Sequence, residues 1–318
     1  MVASKTELWG IFFVLGTLTC SAYENRYTEM TSTLRHNAKV ISQTGLQHLI
    51  EWHEIFPQKK FPFQIYGNAH NAWHSGDQFH GSTALALAGC NLSYNSPLLR
   101  RAYALGLFGG GARDRLKFSG DLLKRTRIEQ GFFGYGGHFH IWGLEIATST
   151  LLSFGSARTD LEHTSLNYQK HQCRTLHSQY TATYLWDHHA WSFGPMIGLI
   201  NDHIKYHGAK DWDQQNFHAS DLDGIAGLYL VHDRAKFDIR FFLGGQHNLR
   251  HREHGGALNY HGKMELPQTT KPIKNHFLLS TDFHYALASH WLLTFHLSGS
   301  YHRRDKFTAT GLTLDHIF

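Results

Sequence analysis

From about Phe61 onward, apolar and polar residues alternate along the chain with a period of two. In 291–301, Trp291, Leu293, Phe295, Leu297 and Tyr301 share one face, and Leu292, Thr294, His296, Ser298 and Ser300 share the other. In 277–287, Phe277, Leu279, Phe283, Tyr285 and Leu287 oppose Ser280, Asp282 and His284. In 237–243, Phe237, Ile239, Phe241 and Leu243 oppose Asp238 and Arg240. In 142–154, Trp142, Leu144, Ile146, Leu152 and Phe154 oppose Glu145, Ala147, Ser149 and Ser153. Such alternation predicts strands with two unlike faces. Runs of about ten residues with an apolar outer and a polar inner face predict transmembrane β-strands. A soluble sandwich also alternates, but its apolar faces must fill a core. Trp73, Trp142, Trp186, Trp191, Trp291 and Tyr301 fall near strand ends and favour lipid, because such rings settle at membrane interfaces.

The connections carry a second pattern. Short turns fall near Asn95-Ser96-Pro97, His138-Phe139-His140, Asp187-His188-His189, His232-Asp233-Arg234 and Ala288-Ser289-His290. Between them lie longer polar loops at 111–125, 155–172, 202–217 and 250–274, and shorter links near 74–78 and 302–305. Alternating short and long connections belong to an up-and-down barrel with periplasmic turns and external loops. The expected strands are 62–73, 79–92, 98–110, 126–137, 142–154, 174–186, 190–201, 218–231, 236–248, 275–287, 291–301 and 306–318. The fold expected is all-β: an antiparallel transmembrane barrel of about twelve strands, both ends periplasmic. In the last strand Thr310, Leu312, Leu314, His316 and Phe318 oppose Gly311, Thr313, Asp315 and Ile317. Glu145, Asp238, Arg240, Asp282, His284, His296 and Asp315 are expected to face the lumen, lining a pore or holding a plug.

Before Phe61 the period changes. Met30, Leu34, Ala38 and Ile41 follow helical spacing, and Leu46, Leu49 and Ile50 resume it after Gly45. Pro57 ends the segment. A helix from Tyr27 to about Ile55 would be ~40 Å long, enough to thread a membrane-sized pore. Its other reading is a surface amphipathic helix. Lys5, the apolar run Leu8 to Leu18 and Cys20-Ser21-Ala22 predict a secretory signal cut after Ala22. A lipoprotein cut before Cys20 is the rival, poorly matched by Thr17-Leu18-Thr19. The division expected is a signal peptide at 1–22, a helical segment at 23–60 and a barrel at 61–318.

Composition fits this picture. The 318-residue chain is 14% aromatic and 17% charged, with 30 Gly and 6 Pro. No stretch approaches the ~20 consecutive apolar residues of a membrane helix. The net charge of +5 is scattered, which argues for solvated loops and against nucleic acid. The 27 histidines fall on turns, strands and loops without tight metal spacing, so no metal or cofactor is expected. Cys90 and Cys173, the two cysteines beyond the signal, are expected at opposite ends of the barrel and unbonded. Acid–histidine neighbours occur at Asp187-His188, Asp202-His203 and His251-Arg252-Glu253-His254. With so many histidines such pairs arise by chance, and no enzyme is expected.

A helix, about twelve strands and a terminal Phe together resemble the translocator domain of autotransporters, the type V secretion family. The local sequences are Phe63-Gln64-Ile65-Tyr66-Gly67-Asn68, the Gly-rich run Gly81 to Gly89, Phe132-Phe133-Gly134-Tyr135-Gly136-Gly137 followed by Trp142, Trp191 to Leu199 around Pro195, and Phe307 to Phe318. The resemblance spans about 27–318. It departs at His316, where the family has Tyr or another aromatic, and in having only residues 23–26 between the expected cut and the helix, where the family carries a passenger. It implies anchoring, display or translocation of an N-terminal segment at the outer membrane. It also implies a monomer in outer-membrane lipid, and assembly by machinery that recognises the last strand, with Phe318, Leu314 and Leu312 as the signal. The alternatives are a porin-like channel with the helix outside the barrel, and a lipid- or peptide-hydrolysing barrel enzyme.

Overall fold

The alternating segments pair edge to edge until no edge remains. The computed structural model describes residues 30–45, 63–76, 79–96, 101–118, 123–161, 168–207, 216–234, 236–255, 258–260, 263–265 and 273–318. A helix, α1 (residues 30–45), precedes the strands. These are β1 (Phe63–Gly76), β2 (Phe79–Ser96), β3 (Arg101–Phe118), β4 (Leu123–Ile141), β5 (Leu144–Leu161), β6 (Tyr168–Tyr184), β7 (Trp186–His188), β8 (Trp191–His207), β9 (Phe217–Arg234), β10 (Phe237–Gly255), β11 (Leu258–Tyr260), β12 (Lys263–Glu265), β13 (Asn275–Ala288), β14 (Trp291–His302) and β15 (Asp305–Ile317). Twelve of them form a closed antiparallel barrel. Each ring strand pairs with its neighbours in sequence, β6 pairs with β8, and β1 pairs with β15 to shut the seam. The short β7 extends the β6–β8 hairpin, and β11 pairs with β12 outside the ring. The expected signal, Cys20, residues 46–62 with Leu46, Leu49, Ile50 and Pro57, and the tips of most long loops lie outside the described residues.

The pleat sorts the side chains. Along β1 exposed and buried residues alternate through all but the last position. Leu105, Leu107, Phe133, Tyr135, Phe154, Ile197, Leu199, Leu312 and Leu314 point outward and are exposed. The inward residues alternate with them, as expected of a barrel whose polar face is internal.

Two expectations about the chain's course need correction. The outer hairpins continue well into the segments expected as loops: β3 runs to Phe118, β5 to Leu161, β8 to His207 and β10 to Gly255. Above the lipid an outward face needs no apolar residues, so the ladder persists where hydrophobic alternation has stopped. Arg113 and Glu129 show this, forming a cross-strand ion pair at 2.6 Å on the exposed face. The expected turn at His138–His140 is also displaced. β4 continues to Ile141, and the turn is Trp142-Gly143, both with positive φ (48° and 84°). Left-handed conformation at both central residues makes the tight hairpin turn whose twist matches its strands. The alternation had placed Trp142 inside a strand because it shares a parity with Leu144.

Candidate functional site

The lumen is filled by α1. Its residues are buried or half-buried around the whole circumference, which excludes the surface-helix reading. Met30 and Leu34 pack with Phe79, Leu116, Ile128, Ala157, Tyr206 and Phe217. Ala38 and Ile41 pack with Tyr66, Leu87, Phe108 and Leu151 further down the barrel. The opposite face places Val40 against Ala72, Phe307 and Ala309. At the helix end, a Cβ on Gly45 would lie 2.7 Å from the Phe108 ring, so only glycine lets the backbone approach that closely.

The polar side of α1 is bonded to the wall. The Arg35 guanidinium meets three carboxylates: Asp223 at 2.6 Å, Asp221 at 3.4 Å and Asp202 at 3.5 Å. Asp202 and Asp221 are directly opposed across β8 and β9. Like charges so placed repel, and the planar fork of an arginine between them reverses the sign of the interaction. Further donors complete the cluster: His177 at 2.7 Å from Asp202, His251 at 2.6 Å from Asp221, and Gln246 and Asn248 on Asp223 at 2.8 and 2.7 Å.

Around the rest of the circumference, Ser32 donates to Asp305 at 2.9 Å and His36 Nε2 lies 3.0 Å from the same oxygen. Asn37 donates to Asp114 at 2.8 Å, and Lys39 donates to Gln246 at 2.8 Å. Ser42 meets Ser149, and Thr44 reaches His70 Nε2 at 3.0 Å. The bonds therefore reach strands on every side of the helix, and fix its height and rotation together.

The seven residues expected in the lumen are all buried on the inward face: Glu145, Asp238, Arg240, Asp282, His284, His296 and Asp315. They do not form one site. Arg240 donates to Asp238 at 2.9 Å. His296 bridges Asp282 and Thr313, each at 2.8 Å, and its ring lies 5.4 Å from His70, the partner of Thr44. His284 meets Thr294 at 2.9 Å. Gln64 donates to Asp315 at 2.7 Å across the β1–β15 seam and accepts from Asn91 at 3.1 Å. Glu145 and Asp282 line a cavity of about 80 Å³ with Gln43, Gln179 and Tyr229.

Of the residues that hold the helix, Asp202 and His251 stand out in the sequence only as members of acid–histidine pairs, and Arg35, Asp221 and Asp223 do not stand out. Two local signals mark them. Asp221 and Asp223 are two apart and therefore share the inward face of β9. Arg35 and Lys39 are four apart and share one side of α1.

Of the acid–histidine neighbours, Asp202-His203 and Asp187-His188 turn to other partners. Asp202 points inward to His177 and Arg35, while His203 points out, 3.3 Å from Asn201. Adjacent residues of a strand face opposite ways, so sequence neighbours on a wall cannot share a proton. Asp187 accepts from Ser192 at 2.7 Å instead of binding His188. His251 lies between two carboxylates, Asp221 at 2.6 Å and Glu253 at 3.1 Å, while His254 is exposed. Among the described residues no three His, Cys, Asp or Glu side chains are placed to hold a metal ion.

The Arg35 cluster gives a direct test. Arg35→Met leaves three buried carboxylates facing one another, and removal of one partner from a buried ion pair costs about 3–5 kcal/mol. The detergent-folded variant should unfold at lower denaturant concentration, and Asp223→Asn in the same chain should recover part of the loss. Strictly additive losses would show that the two residues do not act on each other.

No protein-family model and no curated protein sequence matches this chain. Solved structures do. The translocator domain of the autotransporter NalP from Neisseria meningitidis superposes with a TM-score of 0.60 at 10% identity, covering 92% of this chain and 98% of that one. The β domain of the Bordetella autotransporter BrkA gives 0.58 at 7% identity, over 80% and 98% of the two chains. The transport unit of AIDA-I from Escherichia coli gives 0.54 at 12% identity, over 90% and 98%. This chain, a closed twelve-stranded barrel with an N-terminal helix, has the fold of an autotransporter translocator domain.

Proposed function

We propose that this chain is a bacterial outer-membrane barrel that threads its own N-terminal segment through the lumen and anchors it at the outer face, with α1 as the plug. The observation that carries this reading is the direction of α1. Its Met30 end packs among residues near the long-hairpin end of the barrel, such as Leu116, Ile128 and Phe217. Its later turns pack lower, toward the end where β1 begins and β15 finishes. A chain running this way emerges at the outer mouth. The belt of exposed Leu, Ile and aromatic residues supports a lipid setting, since an apolar surface of that extent is not left in water. Such a protein binds outer-membrane lipid, depends on the barrel-assembly machinery, works as a monomer without nucleic acid, cofactor or turnover, and is held by its lumen. The helix's place inside the barrel favours a plug over the channel and enzyme alternatives.

An epitope inserted between residues 26 and 27 tests the threading. Antibody should label intact cells carrying the tagged protein. Labelling that appears only after the outer membrane is permeabilised would place the segment on the periplasmic side and end this reading.

A further inference from the structure

The outer third of the barrel wall carries an arrangement that the plug does not use. On the outward face, Arg115 of β3 stands directly opposite Arg127 of β4, Arg127 opposite Arg158 of β5, and Arg158 opposite Lys170 of β6. One strand further, Arg174 of β6 stands opposite Lys205 of β8. All six side chains are exposed. Directly opposed like charges destabilise an antiparallel pair. Inside the barrel the same conflict, Asp202 against Asp221, is resolved by Arg35 of the plug. Outside, the acids of this face occupy other positions. Glu129 is taken by Arg113 at 2.6 Å, and Asp160, opposite Arg125, reaches Arg158 at 3.8 Å on the exposed surface. Four consecutive strands therefore share an unbroken cationic row.

The row also has a definite height and side. Arg174 sits over the ring of Phe154, 5.7 Å from its centroid. Phe154 is exposed, as are Leu176 and Tyr180 on β6. The cations thus begin where the exposed apolar residues end. Elsewhere among the described residues exposed cations face uncharged partners: Lys306 stands opposite Ser75 and Arg252 opposite Ser220. Three residues below the β1–β2 hairpin tip the outward residues are Trp73 and Ser82, with Thr308 beside them on β15. A solvated charge layer has no reason to align cation with cation. Phosphate groups spaced along a lipid surface complement such a row, and arginine forks grip them through paired N–H donors.

We propose that the outward row Arg115–Arg127–Arg158–Lys170, with Arg174 and Lys205 at its lower edge, is a binding surface for the phosphate-bearing headgroups of outer-leaflet glycolipid. The inference rests on the membrane reading above and adds a specific lipid contact to it. The phosphates enter between opposed cations and turn a repulsive set of cross-strand pairs into bridged ones. The bound lipid then braces β3 to β6.

The test uses the full mature chain, folded in neutral detergent, with three probes: bis-phosphorylated lipid A, the same lipid after enzymatic dephosphorylation, and inorganic phosphate. Binding is read by native mass spectrometry, and stability by the thermal midpoint of the barrel. Wild type should prefer the phosphorylated lipid over the dephosphorylated one by about tenfold or more. The preference should vanish in R115Q/R127Q/R158Q/K170Q and fall in each of the doubles R115Q/R127Q and R158Q/K170Q. Because the substitutions remove repulsion, the variants should melt no lower than wild type without lipid, and should lose the lipid-induced rise. Equal binding of both lipids, or undiminished preference in all variants, would overturn the proposal. Displacement of the lipid by inorganic phosphate at matched concentration would assign the site to free anions instead, and would equally overturn it. Surface labelling of the tagged N-terminus and these binding ratios are independent readouts, so failure of one leaves the other interpretable.

Discussion

A chain lacking residues 23–56 should conduct ions in planar bilayers at a level on the order of tenfold above that of the intact barrel, because a twelve-stranded cylinder emptied of its helix leaves a water-filled lumen. In the intact protein α1 packs against hydrophobic clusters on opposite walls and is tied by polar bonds at every height between Ser32 and Thr44. The opened pore should also be selective. Deletion removes Arg35, His36 and Lys39 and exposes Asp114, Asp202, Asp221, Asp223 and Asp305, all now buried against the helix or its partners. A ring of carboxylates admits cations in preference to anions, so the reversal potential in a salt gradient should shift toward the cation value. Equal conductance with and without the segment, or an anion-selective pore, would mean that the helix does not seal the lumen as its contacts imply. Arg35→Met provides an intermediate: a loosened plug should give brief openings at unchanged pore size.

The second large effect is expected at the last residue. The Phe318 N–H donates to the Phe63 carbonyl at 2.9 Å, the final rung of the seam. Its ring lies 5.8 Å from that of Phe63 and 4.5 Å from His316, which itself stands edge-on to Trp291 at 4.5 Å. His316 thus takes the place of an aromatic in a stack. In the folded barrel these contacts are small, since an aromatic pair is worth about 0.5–1.5 kcal/mol beyond its buried area. During closure they matter more. Until β15 docks on β1, two strand edges face the bilayer, and each unsatisfied N–H or C=O there costs several kcal/mol. Deleting Phe318 should therefore cut the yield of heat-modifiable, membrane-inserted barrel on the order of tenfold, since assembly must bridge that edge cost. The unfolding midpoint of the molecules that do assemble should change little. Phe318→Tyr should assemble normally. Leu312 and Leu314 are exposed on the same outward face as Phe318, so a factor approaching the last strand from the bilayer meets all three. Wild-type insertion of the deletion variant would remove Phe318 from any role in assembly.

Both effects turn on information of different kinds. The barrel itself was legible along the chain. Period-two alternation assigns each residue to a face, and the spacing of turns counts the strands. Parity alone puts Asp238, Arg240, Asp282 and His284 on the inner face, where all four are buried. Hairpin ends were less legible. At Trp142-Gly143 the positive φ values break the strand without breaking the parity of the apolar residues. From Gly111 to Phe118 the ladder continues after its outer face has turned polar.

The plug's fastening needed the fold. Parity says that Asp202, Asp221 and Asp223 face inward, but not that β8 and β9 pair with Asp202 opposite Asp221. That register places two like charges side by side and creates the need for a cation. Nor does helical spacing say which strand Arg35 meets, because the rotation and depth of α1 are set by Leu34, Ile41 and Val40 filling separate hollows in the wall. The outward cations follow the same logic: each is readable as exposed, but their row exists only once β3, β4, β5 and β6 are in register. By itself the sequence determined which side of the wall the residues of each alternating strand occupy, because a strand's pleat is local. Only the tertiary structure decided which charges meet, because strand register and helix rotation are settled by packing among residues far apart in the chain.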